Sequence, residues 1–545
     1  MRVPGVDRPL RRPRVLAVDL SRPVADTPRG HPLGRLLTAR RPALRDTLEV
    51  IDEAGRDPRI HALLARVDAP ARSWAHAQEL HGAITAFRAS GKPAIAHAQS
   101  FSEAGDGALA YHVAAAFDEI HLQPTGEVRV TGVAVVQPFL TGVLDKLEVT
   151  TQLDHREEYK AAKNLVTERK FTTAHRENVD AIAAGRYQQL LDAIAAGRHL
   201  DRERITGLID RAPLSATDAL AGGLVDRLAY RDQTVASVEE RVGGDARLTT
   251  VEQYRSRVRR RRWRPGRPTI ALVHGHGTIL VGHDRRSVIG PVMGADSVVT
   301  AFRQAVRDDR VRAIVFRVDS AGGSVVASDA VWRAVACARE AGKPVVVSMG
   351  AVAGSGGYWV SAGADRIVAS AGTLTGSIGV VYGKVVTRGL RHRLGISTDE
   401  VHRGANALMF SADQPFTEDQ WDHVGGSLDR IYEQFLDRVS DGRNLPRDRV
   451  HDAARGRVWT GADALERGLV DQLGGYREAG AAAARLAGLA PDTHVEVREL
   501  PRTTLAQRVG MRPQDADEMR GLLGALGASL RALRHGQGPE ARMPE

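Results

Sequence analysis

The lone Ser355 in GAVAGSGGYWVSAGADRIVASAGTLTGSIGVV (350–381) sits among glycines and apolar residues with almost no charge. The run VVVSM before it reads as a strand, followed by a small-residue turn, and GGYWVSAGA after it reads as a helix. A hydroxyl at a helix start has unsatisfied backbone N–H groups beside it, Gly356 first among them, and the positive end of the helix dipole. That setting suits a nucleophile whose product is a tetrahedral oxyanion, although a plain N-cap serine would have the same sequence signature. A phosphate loop is excluded because no GK[ST] follows. A second feature lies upstream in VDSAGGSVVAS, where Gly322 and Gly323 stand between a strand and a helix. Paired glycines there let backbone N–H groups point into an open site, as an oxyanion hole requires.

The elements that must hold these residues occur twice. DPRIHALLARVD (57–68) matches DDRVRAIVFRVD (308–319) with six identities in twelve, at an offset of 251. GKPAIAHA (91–98) meets GKPVVVSM (342–349) at the same offset, and AYHVAAAFDEI meets GYWVSAGADRI at 247. DALAGGLVDRL and DALERGLVDQL follow in the same order. The chain is a tandem duplication with a four-residue insertion in the first half near position 104. Within each half, β-branched runs alternate with helical patterns, which predicts α/β layers with parallel strands. The expected layout is an N-terminal domain over 1–255, a basic linker over 256–268 (SRVRRRRWRPGRP covers it), and a second domain over 269–500. A tail over 501–545 follows, with an amphipathic helix at 519–536.

The duplication supplies an internal control. Ala71 and Arg72 stand where the second half has Gly322 and Gly323, and Ala108 stands where it has Ser355. In the other direction, Lys160 of EEYKAAKNLV falls opposite Ala407 of RGANALMF. Each half lacks what the other supplies, which raises Lys160 above an ordinary surface lysine. A lysine serves as a base only when burial lowers its pKa. Spacing alone leaves His274, His276 and His283 of LVHGHGTILVGHD open as alternative bases.

SMGAVAGSGGYWVSAGADRIVASAGTLTGSIGVV and VDSAGGSVVAS closely resemble the signal peptide peptidase A family, peptidase family S49, in its long tandem-domain form. The likeness is strong from about 268 to 480 and weaker but collinear over most of the first half. It implies a tandem Clp protease/crotonase-like fold and a serine–lysine dyad of Ser355 and Lys160, with Gly322, Gly323 and Gly356 at the oxyanion. It also implies hydrolysis of signal-peptide remnants and other extended hydrophobic peptides, and a homo-oligomer, a tetramer in the family, that encloses a chamber. The family's lysine motif runs close to YKSAxEPF, whereas this chain has YKAAKNLVTERKF, which keeps Lys163 as an alternative register. The rival readings are a crotonase-like acyl-CoA enzyme and a catalytically silent ring scaffold.

Bulk properties narrow the class further. At 545 residues the chain exceeds one core, and 43% hydrophobic with 26% charged residues fits a globular protein. The net charge of +10 comes without a nucleic-acid motif, so it reads as a diffusely basic surface, with peripheral membrane contact left open and no nucleic-acid partner expected. The single cysteine, Cys337, excludes an intrachain disulfide, and its helical surroundings predict a buried packing role. No metal or cofactor is expected. The sequence has no run long enough to span a membrane, and VLAVDL is too short for a signal-peptide core. The expected location is cytoplasmic or peripherally membrane-associated.

Overall fold

Alternating β-branched runs and helices build two parallel sheets with one strand order. The computed structural model describes residues 12–26, 43–103, 105–262, 267–287, 290–490 and 493–501. In the first half, β1 (Arg14–Asp19), β2 (Ile60–Arg66), β3 (Ala94–Ala98) and β4 (Glu119–Leu122) line up side by side, interleaved with α1 (Leu44–Arg56), α2 (Trp74–Arg88) and α3 (Ala108–Ala114). Later come β5 (Thr150–His155), the long helix α4 (Thr173–Arg198), β6 (Arg227–Leu228), β7 (Arg247–Thr250) and α5 (Val251–Arg262). The sheet order is β6-β4-β3-β2-β1-β7, every pair parallel.

The second half repeats this with β8 (Thr269–His276), α6 (Ala295–Arg307), β9 (Val311–Ser320), α7 (Val325–Glu340), β10 (Val345–Gly354), α8 (Gly356–Ala362) and β11 (Arg366–Ala369). It continues through β12 (Leu374–Gly376), β13 (Val381–Val386), α9 (Glu418–Arg443), β14 (Val458–Thr460), β15 (Gln472–Leu473), α10 (Tyr476–Leu486) and β16 (Glu496–Leu500). Its parallel path β15-β11-β10-β9-β8-β16 reproduces the first sheet. Matched residues do matched work. Ser73 and Ser324 cap α2 and α7, and Thr172 and Thr417 cap α4 and α9. The hydroxyls of Tyr111 and Tyr358 donate to the Leu224 and Leu469 carbonyls at 2.5 and 2.8 Å.

One difference places the site. β3 stops after five residues, whereas β10 runs for ten, and its added end pairs with β12, which pairs with β14. The first half's counterparts, Glu127–Val128 and Leu214–Ser215, pair with each other and touch the region after β3 through a Phe101–Val128 bridge. The loop with the inserted residues lies between them.

The halves are interlocked. The first half's apolar core continues onto one face of the second sheet through Ile270, Leu272, Val315 and Val346, and α10 joins it there. β5 crosses over to pair antiparallel with β13 of the second half. Asn178 of α4 pairs with β14 through its side-chain amide, donating to the Val458 carbonyl at 2.7 Å and accepting from its N–H at 3.0 Å.

Two expectations are corrected. The basic run 256–268 does not open as a linker, because α5 extends to Arg262. Buried Val251 and Tyr254 anchor that helix, and Arg255 pairs with Asp46 at 2.6 Å. Cys337 is exposed, not buried, since α7 buries the stripe Ala327, Val331, Ala334, Val335 and Ala338, and position 337 falls off it. The tail helix expected at 519–536 lies outside the described residues.

Candidate active site

The expected turn between strand and helix is absent. β10 runs to Gly354, α8 starts at Gly356, and Ser355 alone makes the corner, with φ 54° and ψ −120°. Such a backbone conformation costs a non-glycine residue on the order of 1–3 kcal/mol and persists only when its surroundings over-determine it. They do so here. The Ser355 N–H donates to the Gly376 carbonyl at 2.9 Å, and its carbonyl accepts from the N–H groups of Tyr358 and Trp359, both at 2.9 Å. Its hydroxyl caps nothing in the helix, so the N-cap reading fails and the Oγ is left for other partners.

Glycine is needed around this corner because main chains meet. A Cβ on Gly357 would lie 2.4 Å from the Ser320 carbonyl oxygen, so only glycine lets α8 press against the end of β9. Gly322 has φ +110°, and a Cβ there would lie 2.8 Å from the Gly356 nitrogen and 2.9 Å from Ser355 Cβ. The Gly322 N–H donates to Ser320 Oγ at 3.1 Å, which corrects the expectation that it faces an oxyanion. The loop turns back on itself there, and the nearest hydroxyl takes that donor. Gly323 continues into a parallel bridge with Ile279 and lies against Gly356.

Lys160 reaches this corner from the first half. It follows β5, whose pairing with β13 carries the chain across, and it heads the short 3₁₀ turn Ala161–Lys163. Its Nζ lies 3.0 Å from Ser355 Oγ, donates to the Ser377 carbonyl at 2.7 Å, and lies 3.0 Å from Ser377 Oγ. The residue is only 3% exposed, and burial pushes the ammonium pKa down to about 7. No carboxylate figures among the causes of that shift. Lys163 is half-buried three positions on, where its charge acts on Asp154 and His155.

The histidines go elsewhere. His274 lies in the field of Asp26, Glu499 and Arg317, and His276 stands 3.5 Å from Asp319. Ser377 is a site residue that the sequence reading missed, although it sits in the same glycine-rich stretch, with φ +50°. Among the described residues Asp26, His76 and Asp319 each bring a ligand atom within 4.8 Å of one another. Arg317 already donates to both Asp26 oxygens at 3.2 Å, which makes that group an ion-pair cluster. No helix among the described residues is long and apolar enough to cross a membrane.

The profile of Peptidase family S49 matches residues 86–244 and 337–490. The chain is 30% identical over 476 residues to Protease 4 of Haemophilus influenzae, covering 83% of this chain and 74% of that one. It is 33% identical to Protease 4 of Salmonella typhi over 75% of this chain and 66% of that one. It is 29% identical to the chloroplastic serine protease SPPA of Arabidopsis thaliana, over 83% of this chain and 66% of that one. Among solved structures, a ClpP1 mutant from Listeria monocytogenes matches with TM-score 0.24 and 14% identity over 38% of this chain and 93% of its own.

Proposed function

The chain belongs to peptidase family S49, a family of serine proteases, and from that premise we propose that it hydrolyses extended hydrophobic peptides with Ser355 as nucleophile and Lys160 as base. The observation that carries this is the 3.0 Å approach of Lys160 Nζ to Ser355 Oγ, with the amine buried. A neutral Lys160 keeps its N–H groups on the carbonyl and hydroxyl of Ser377 and turns its lone pair to the Ser355 O–H. The amine takes that proton as Oγ bonds to the scissile carbonyl carbon. The resulting oxyanion is assigned to the N–H groups of Gly323 and Gly356, and Gly322 holds the loop shape. Lys160 then returns the proton to the leaving amine, the C–N bond breaks, and an acyl-enzyme remains. Water, deprotonated by the same lysine, completes hydrolysis.

The small residues lining the corner leave room for an extended peptide to run close to the backbone. Signal-peptide remnants are the proposed substrates, and an oligomer enclosing the sites is the proposed working form. A fluorophosphonate probe tests the nucleophile. The expected result is labelling of Ser355 in the native protein and none after Ser355→Ala. A crotonase-like enzyme or a silent scaffold would leave the native protein unlabelled as well.

A further inference from the structure

Each chain makes one strand seam across its halves and leaves the matching halves of a second seam unpaired. Inside the chain β5 and β13 pair antiparallel, with His155 opposite Val381 and Thr150 opposite Val386. The repeat continues through this region without a gap. GVAVVQPFLTGVLDKLEVTTQLDHR (132–156) and GVVYGKVVTRGLRHRLGISTDEVHR (379–403) share the 247-residue offset, and both contain a short helix at the matched place. Residues 134–139 therefore stand for β13 in the first half, and 397–402 stand for β5 in the second. Neither belongs to a strand. Both carry bare apolar side chains: Val136 is 92% and Val401 89% exposed. Exposed apolar groups on an unpaired strand edge are what proteins ordinarily cover.

We propose that 134–139 of one copy pairs antiparallel with 397–402 of a second copy of this chain, in the register of the internal seam. Ala134 then faces His402, and Phe139 faces Ser397. The reading rests on the oligomer proposed above and names its interface. Polar groups fit the pairing. In the internal seam Arg156 donates to the Gly425 carbonyl at 2.7 Å and pairs with Asp429 on α9. Arg403 is its exposed repeat counterpart, and α4 is the counterpart of α9 at an offset of 245, set by their caps. Asp180, exposed on α4, stands in the place of Gly425 and offers Arg403 a carboxylate one turn from where Asp429 stands in the internal seam.

The two edges differ, so the contact is head-to-tail and copies propagate until a ring closes. Seams then alternate round the ring. Those within chains hold Ser355 and Lys160, and those between chains hold Ala108 and Ala407 in their places, giving one active site for every two domains.

Paired cysteines in a Cys337→Ser background test the register. Val135→Cys with Val401→Cys places two thiols opposite each other on one face of the seam, and oxidation should yield a ladder of covalently linked copies. Val135→Cys with Glu400→Cys points the thiols to opposite faces and should give at least tenfold less. Light scattering should find a multiple of 58.8 kDa for the native chain, falling to 58.8 kDa for Val401→Asp with an unchanged far-ultraviolet spectrum. Equal cross-linking in both pairs, with a multimer retained in Val401→Asp, overturns this seam and leaves the oligomer standing. A native chain of 58.8 kDa at micromolar concentration overturns both.

Discussion

Ser355 and Ala108 open equivalent helices, yet their backbones differ. In the first half Ala108 is already the first helical residue, capped by Gly107 at φ −95°, and its N–H donates to Asp106 at 3.1 Å. In the second half Ser355 is held out of the helix at φ 54° by a strand twice as long as its twin. The fold does not need the corner, because the twin forms the same sheet without it. The strain belongs to the site, and the half without a nucleophile has relaxed. Lys160 shows the converse, with a buried amine in the half that has no serine to activate.

The largest break in this comparison is loss of the dyad. Ser355→Ala and Lys160→Ala should each lower peptide hydrolysis by about 10⁴-fold or more, with the double variant little worse, because such groups act as a unit. Lys163→Ala should keep most activity, since its side chain lies beside Asp154 and His155. Ala108→Ser should gain nothing, since its twin glycines are Ala71 and Arg72. A peptidase assay on this set decides the register: full activity in Lys160→Ala with loss in Lys163→Ala would reverse the assignment.

The second break concerns stability. Arg66 and Arg317 are repeat counterparts on β2 and β9. Arg66 is partly exposed and pairs with Asp68 at 2.5 Å. Arg317 is fully buried between Asp26 and Glu79 of the first half and stacks 4.1 Å from the Tyr476 ring. Arg317→Met leaves two buried carboxylates without their cation and should cost about 3–5 kcal/mol. Arg66→Met should cost at most about 1 kcal/mol. Denaturant titration of both gives the comparison, and equal losses would show that the cluster does not fasten the halves.

Much of this was legible because the duplication marks equivalent positions without an alignment. The offsets locate the strands, the caps and Tyr111 with Tyr358, and the exchanges at Ala108 and Ala407 pick out Ser355 and Lys160. What the sequence hid depends on contacts between the copies of the repeat. The crossing of β5 to β13 follows no local period, since either half could have kept its own pair. Ser377 donates and accepts through a position that looks like any turn serine. Gly322 reads as an oxyanion donor, and only the loop's return path shows its N–H going to Ser320. Cys337 was misplaced because the apolar stripe of α7 is narrower than its composition suggests.

A milder break tests the loop. Gly322→Ala adds a methyl that would meet Gly356 and Ser355 at under 3 Å, in a backbone region unfavourable to alanine. Turnover should drop by about 10²–10³-fold if the displaced amides bind the oxyanion. Ala71→Gly, its twin, should leave turnover unchanged. Similar effects at both sites would show that the glycines serve only the turn.

The smallest effect is the most diagnostic of the base. Only neutral Lys160 can accept the serine proton, and its pKa is lowered to about 7 by burial. Activity should therefore rise about tenfold between pH 6 and pH 8 and then level off. Stability must carry the same signature. Lys160 has a pKa of about 7 when folded, against its ordinary 10.5, so the unfolded chain binds more protons between those values. Stability then rises with pH across that window, by up to about 1.4 kcal/mol per unit, and the burial penalty is full below pH 7. Lys160→Met should be more stable than the native chain at pH 6 and should lose this slope. A histidine base predicts otherwise: variants of His274, His276 or His283 would move the kinetic limb, and Lys160→Met would leave it in place. A kinetic midpoint near 7 that coincides with the lower edge of a stability slope abolished by Lys160→Met ties both to one amine, and a mismatch between them assigns the base elsewhere.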